Sequence, residues 1–109
     1  MRGFLQEVEQ LGLKIFATEL DVRDKDLLAD ISARDRGVAE AYSRHLDVLL
    51  ENRAVEAVLT WGLYDGESWL RERQPRIDGR PVRPLPFDEG LHPQPAVEAM
   101  IHAFGKRHG

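Results

Sequence analysis

Phe4, Leu5, Val8 and Leu11 recur at the spacing of one helical face, and Gly12 stands where a left-handed cap residue belongs, which predicts a first helix ending near Leu11. The next stretch, Leu13 to Val22, is apolar through its middle and acidic at its end, the pattern of a buried strand. Asp21, Asp24, Asp26 and Asp30 then mark a solvated loop, and Ser32 offers a cap for the helix that follows. Between Ala33 and Asn52 the residues Val38, Ala41, Tyr42, Leu46, Leu49 and Leu50 describe one stripe of a long amphipathic helix. Ala54 to Leu63 reads as a second strand. Asp65 to Pro86, rich in Pro, Gly and Arg, reads as a long irregular, solvated loop. Pro93-Gln94-Pro95 opens a terminal helix with Ala96, Val97, Met100, Ile101 and Phe104 on one side and Gly105 as its stop.

A strand, a long helix and a second strand in that order require the two strands to run parallel, because the connection is too long for a hairpin. Parallel sheets are covered on both faces, a condition that two strands alone do not meet. The expected fold class is therefore α/β, arranged α-β-α-β-α, with more structure implied than the chain supplies.

The composition limits the functional classes. The chain has 109 residues, 42% hydrophobic and 31% charged, with 15 Lys and Arg against 19 Asp and Glu for a net charge of −4. That is the profile of one small globular domain rather than a disordered tail. No basic stripe suited to a phosphate backbone is visible, so nucleic acid is not an expected partner. Charged residues interrupt every apolar stretch, so neither a membrane span nor a signal core is expected within this sequence. With no cysteine, disulfides, thiolate metal sites and cysteine nucleophiles are excluded. His45, His92, His102 and His108 show no metal-ligand spacing, and no metal or cofactor is assigned.

Candidate chemistry gathers at the strand ends. Strict alternation places Ile15, Ala17, Glu19 and Asp21 on one face of the first strand, and Ala57, Leu59, Trp61, Leu63 and Asp65 on one face of the second. Apolar inward positions leading to carboxylates at a strand's C-terminal end fit a (β/α) barrel, whose chemistry sits at that mouth. A carboxylate beside an indole suits a sugar, whose C–H face an aromatic covers while carboxylates act on the glycosidic bond. Read alone, Glu19 fits a solvated strand-end carboxylate equally well, Asp21 a loop cap, and Trp61 and Trp69 core aromatics. Asp65 and Ser68 suit side-chain bonds that hold the loop's shape. Arg71 and Arg73 suit either a cleft rim or a solvated loop.

Thr18-Glu19-Leu20-Asp21, the segment Trp61-Gly62-Leu63-Tyr64-Asp65-Gly66-Glu67-Ser68-Trp69, Pro84-Leu85-Pro86-Phe87-Asp88 and Pro93-Gln94-Pro95-Ala96 together resemble the C-terminal part of glycoside hydrolase family 10, the endo-1,4-β-xylanases. The order and spacing of these landmarks match over nearly the whole chain. The resemblance implies the C-terminal portion of a (β/α)8 TIM barrel, strands seven and eight with flanking helices, with residues 1–109 as a partial catalytic domain. It implies xylan or xylo-oligosaccharide as substrate, Glu19 as nucleophile of a retaining mechanism, Asp21 as the residue that orients it through a histidine on a neighbouring strand, and Trp61 and Trp69 as walls of the sugar subsites. Gln94 stands where the family usually has Lys, Ala17 where it has a larger β-branched residue, and Tyr64, Gly66 and Glu67 depart from the commonest residues of the second motif. The family is usually secreted or periplasmic, yet no signal peptide is evident in this sequence.

A retaining glycosidase works with two carboxylates about 5–5.5 Å apart. The family's Asn-Glu motif, which carries the general acid, does not occur in these residues, and a whole barrel runs to about 250 residues. The expectation is a xylanase segment, inactive alone, that associates with the missing N-terminal part of the barrel or with itself as a homo-oligomer. The alternatives are a non-catalytic xylo-oligosaccharide-binding remnant and a plain oligomeric assembly module.

Overall fold

The computed structural model describes residues 1–108, the side chain of His108 excepted. Its elements run α1 (Arg2–Gln10), β1 (Ile15–Leu20), α2 (Ile31–Glu51), β2 (Val55–Thr60), α3 (Leu70–Arg73) and α4 (Pro95–His108), with a 3-10 turn at Asp65–Glu67. β1 and β2 form a two-stranded parallel sheet. This is the α/β architecture that the pattern predicts. Gly12 takes φ +76 after α1, a conformation in which an L side chain is strained.

The start of α2 differs in detail. Asp30, not Ser32, is the cap, and its side chain accepts from the Ala33 amide at 2.9 Å. Gly105 lies inside α4 rather than ending it. The cost of a mid-helix glycine, about 1 kcal/mol, is borne by a helix whose Ala103 and Phe104 are packed against the core.

One face of the sheet is covered by helices. Val38, Tyr42 and Leu46 of α2 pack with Ala96 and Ala103 of α4, and Leu20, Val22 and Val58 join them from the sheet side. A second cluster joins Leu5, Leu49 and Val55, with Ile15 and Ala17 against it. Ile15 and Ala17 therefore lie on the helical side, which corrects the expectation from alternation. The cause is a bulge. Ala17 pairs with Val58 but Leu20 pairs with Thr60, so Thr18 and Glu19 together oppose Leu59. One extra residue reverses the parity: Ile15 and Ala17 before it, and Leu20 and Val22 after it, all reach the helices. On the opposite, open side Phe16 is 61% exposed and Leu59 53%.

The segments expected to be solvated loops are stapled together by buried charge. Asp24 and Arg34 are each 1% exposed and form an ion pair at 3.8 Å. Asp24 Oδ2 also accepts from the Arg83 amide at 2.8 Å, and Arg76 Nη1 donates to the Asp24 carbonyl. The Arg83 guanidinium grips Asp35 with two bonds of 2.8 and 3.0 Å. An acidic segment after β1 is thus matched by an arginine-rich one after β2.

Candidate active site

The C-terminal ends of both strands lie side by side, since the Trp61 amide continues the ladder by donating to Leu20 O at 2.9 Å. Glu19 lies near the end of β1 and Asp21 just follows it, as Trp61 follows β2. Glu19 is exposed and adopts φ +60, the left-handed region that a residue with a side chain enters at a cost of about 1–3 kcal/mol. This conformation coincides with the bulge, and Glu19 is exposed there while Leu20 beside it packs on the core.

Asp21 is half-buried. Burial pushes its carboxyl above the usual range, the indole of Trp69 holds it down, and the negative charge of Glu19 pushes it up again. Trp69 Nε1 donates to Asp21 Oδ2 at 2.7 Å. Trp61 is 49% exposed and Trp69 45%, so neither is the core aromatic that its residue type alone allows. Glu19, Asp21 and Trp61 thus lie at the C-terminal end of the sheet, and Trp69 reaches Asp21 from the loop after β2.

The second motif holds its own loop. Gly62 has φ +108, and a Cβ there would sit 3.0 Å from Leu85 Cδ1, so glycine is required. At Gly66 a Cβ would meet the Tyr64 ring at 2.5 Å, so these two departures from the usual motif depend on one another. Asp65 is 1% exposed. Its oxygens accept from the Leu85 amide at 2.9 Å and from Gln94 Nε2 at 2.7 Å, and burial pushes its carboxyl up to about 7 in spite of those bonds. Gln94 also donates to Leu85 O at 2.9 Å, so the residue at the usual lysine position acts as a loop brace. Ser68 Oγ accepts from the Leu70 amide at 3.2 Å, and Glu67 Oε1 from the Leu63 amide at 2.6 Å. Asp65, Glu67 and Ser68 are all engaged in the loop. Arg71 is exposed and donates to Gly66 O at 2.9 Å. Among the described residues no three His, Asp or Glu side chains converge to hold a metal, and no helix is long and apolar enough to cross a membrane.

A family model, "Glycosyl hydrolase family 10", matches residues 1–103. The chain belongs to glycosyl hydrolase family 10. Among curated relatives of this family-10 chain, "Endo-1,4-beta-xylanase B" of Thermotoga neapolitana is 33% identical over 88% of the chain and 26% of the relative. "Endo-1,4-beta-xylanase" of Geobacillus stearothermophilus is 32% identical over 94% of the chain and 33% of the relative. Among solved structures, xylanase 10B from Thermotoga petrophila in complex with xylobiose superimposes with a TM-score of 0.82 at 32% identity, covering 97% of this chain and 31% of that one. A glycosylated endo-beta-1,4-xylanase from Gloeophyllum trabeum gives 0.78 at 27% identity, covering 94% and 30%. The family-10 chain therefore spans between about a quarter and a third of these relatives, and its fold is the C-terminal portion of a (β/α)8 barrel.

Proposed function

We propose that this chain supplies the nucleophile and two sugar-binding indoles of a retaining endo-1,4-β-xylanase acting on xylan or xylo-oligosaccharides. The observation that carries the reading is Glu19 itself, a carboxylate in a left-handed bulge at the C-terminal end of a barrel strand. Strained backbone is kept where the surroundings over-determine it, and such positions cluster at active sites. The family's relatives with xylanase names support the substrate class.

The chemistry follows from the groups present. Glu19 attacks the anomeric carbon from the open side of the sheet and forms a glycosyl-enzyme ester as the glycosidic oxygen leaves; water then cleaves that ester. Protonation of the leaving oxygen requires a second carboxylate. Asp65 and Glu67, the nearest alternatives in the sequence motif, are bound into the loop, so the donor comes from another βα unit. Trp61 and Trp69 offer ring faces to pyranose C–H groups. Asp21 orients Glu19 indirectly, through a histidine supplied by a neighbouring βα unit.

The same reading names the partner. Among the described residues both outer edges of the sheet are unpaired, and Phe16, Leu59 and Trp61 are exposed on its open side. A groove of about 470 Å³ lined by Leu63, Phe87, Val97, Met100, Ile101 and Phe104 flanks β2 and α4. Open edges and apolar grooves of this kind are covered by neighbouring βα units in a closed barrel. The 109 residues alone release no reducing sugar from xylan above a blank. Mixed with the remaining βα units of a family-10 barrel they restore hydrolysis, and Glu19→Ala abolishes it while binding persists. Hydrolysis by the Glu19→Ala mixture removes Glu19 from the role; release of reducing sugar by the 109 residues alone removes the need for a donor elsewhere.

A further inference from the structure

We propose that Trp69 is a positioning residue for Asp21 as well as a sugar platform, its indole N–H fixing the carboxylate that neighbours Glu19. The inference rests on the assignment of Glu19 above. It is carried by geometry. Trp69 Nε1 and Asp21 Oδ2 are 2.7 Å apart, a short bond of the kind a charged acceptor makes. Trp69 is not free to wander to that position: Leu70, its neighbour, is 2% exposed and Ser68 5%, the Leu70 amide is held by Ser68 Oγ, and Asp65 ties the turn before it to Leu85 and Gln94. The loop is anchored first and the indole reaches back across to β1.

The other indole makes the contrast. Trp61 is exposed to a similar degree, but among the described residues its ring nitrogen is not engaged by any carboxylate. One edge of the Trp69 ring is thus tied to Asp21 while much of the ring remains accessible. A sugar stacked on it bears on a group bonded to the acid beside the nucleophile. Asp21 faces Glu19 on its own strand, Trp69 from the loop after β2 and Tyr42 from α2, whose hydroxyl the charge of Asp21 helps to push up. Of these, the indole N–H favours the ionised form of Asp21, whereas Glu19 opposes it.

The test is nuclear magnetic resonance on the 109-residue chain labelled with nitrogen-15 tryptophan and carbon-13 aspartate. Its two indoles are assigned by Trp61→Phe and Trp69→Phe. The Trp69 N–H signal should move with pH at a midpoint above the ordinary carboxylate range, in step with the Asp21 carboxyl carbon. It should become insensitive in Asp21→Asn, and should titrate at lower pH in Glu19→Gln. Trp69→Phe, which keeps an aromatic ring but no N–H, should raise the Asp21 midpoint, and Trp61→Phe should leave it unchanged. That last pair separates positioning from packing, since loss of a merely structural ring does not single out the ionisation of Asp21. A Trp69 signal that ignores pH, one that still titrates in Asp21→Asn, or two indoles both at random-coil positions in the unsubstituted chain would overturn the proposal. Xylotetraose added to the same sample distinguishes the underlying reading: if it perturbs neither indole, the sugar platform is lost while the bond to Asp21 stands.

Discussion

The two faces of the sheet are built on opposite terms. On the helical face Val55, Tyr42 and Leu46 are fully buried, and the parity change at the bulge lets Ile15, Ala17, Leu20 and Val22 all join the packing. On the open face Phe16, Leu59 and Trp61 each keep about half or more of their surface exposed. Burial of apolar surface is the main favourable term in folding, so the helical face and its charged staples carry this chain's own stability. The open face carries strain at Glu19 and two half-exposed indoles instead, and is the face on which chemistry is proposed.

Substitutions should divide along that line. The largest effect is expected from Asp24→Ala, which leaves the buried Arg34 guanidinium without its counter-charge; a loss of about 3–5 kcal/mol should appear in urea unfolding. Leu46→Ala empties part of the covered core and should cost about 2–4 kcal/mol in the same experiment. If either is neutral, stability does not reside where this account places it.

A pH dependence comes next. Asp65 binds its proton up to about pH 7 in the folded chain but only to about 4 when unfolded. Between those values the folded state holds the extra proton, so this group's contribution to stability declines as pH rises from about 4 to 7 and is constant above. Asp65→Asn should remove that part of the slope in urea midpoints taken across the range. The smallest effect is expected on the open face, where Phe16→Ala or Leu59→Ala should change unfolding by no more than about 0.5 kcal/mol while weakening association with the rest of a barrel. A large loss of stability in the isolated chain would mean that this face is already covered.

The difference between the faces also explains what could be read from residues alone. Element order and strand direction were legible because α2 has an unbroken apolar stripe and the strands flank it. The helix-facing side of β1 was not, because a bulge at Thr18 and Glu19 carries no glycine or proline to announce it. The arginine staples were hidden because each joins positions far apart in sequence, such as Arg76 with the Asp24 carbonyl and Arg83 with Asp35. Glu19, Asp21, Trp61 and Trp69 came to notice through motif resemblance and alternation. The indole bond between Trp69 and Asp21 depends on a loop conformation set by Asp65 and Gln94, which spacing along the chain does not encode.

The assignment of Glu19 can be met directly by trapping the glycosyl-enzyme. A xylobioside carrying fluorine at C2 and a good leaving group slows breakdown of the ester and lessens the need for a proton donor. After incubation with the chain assembled into a barrel, peptide mass mapping should locate one added xylobiosyl group on the peptide containing Glu19, and none in Glu19→Gln. A label on Glu67, Asp21 or a carboxylate of the complementing units, with Glu19 unmodified, would contradict the account.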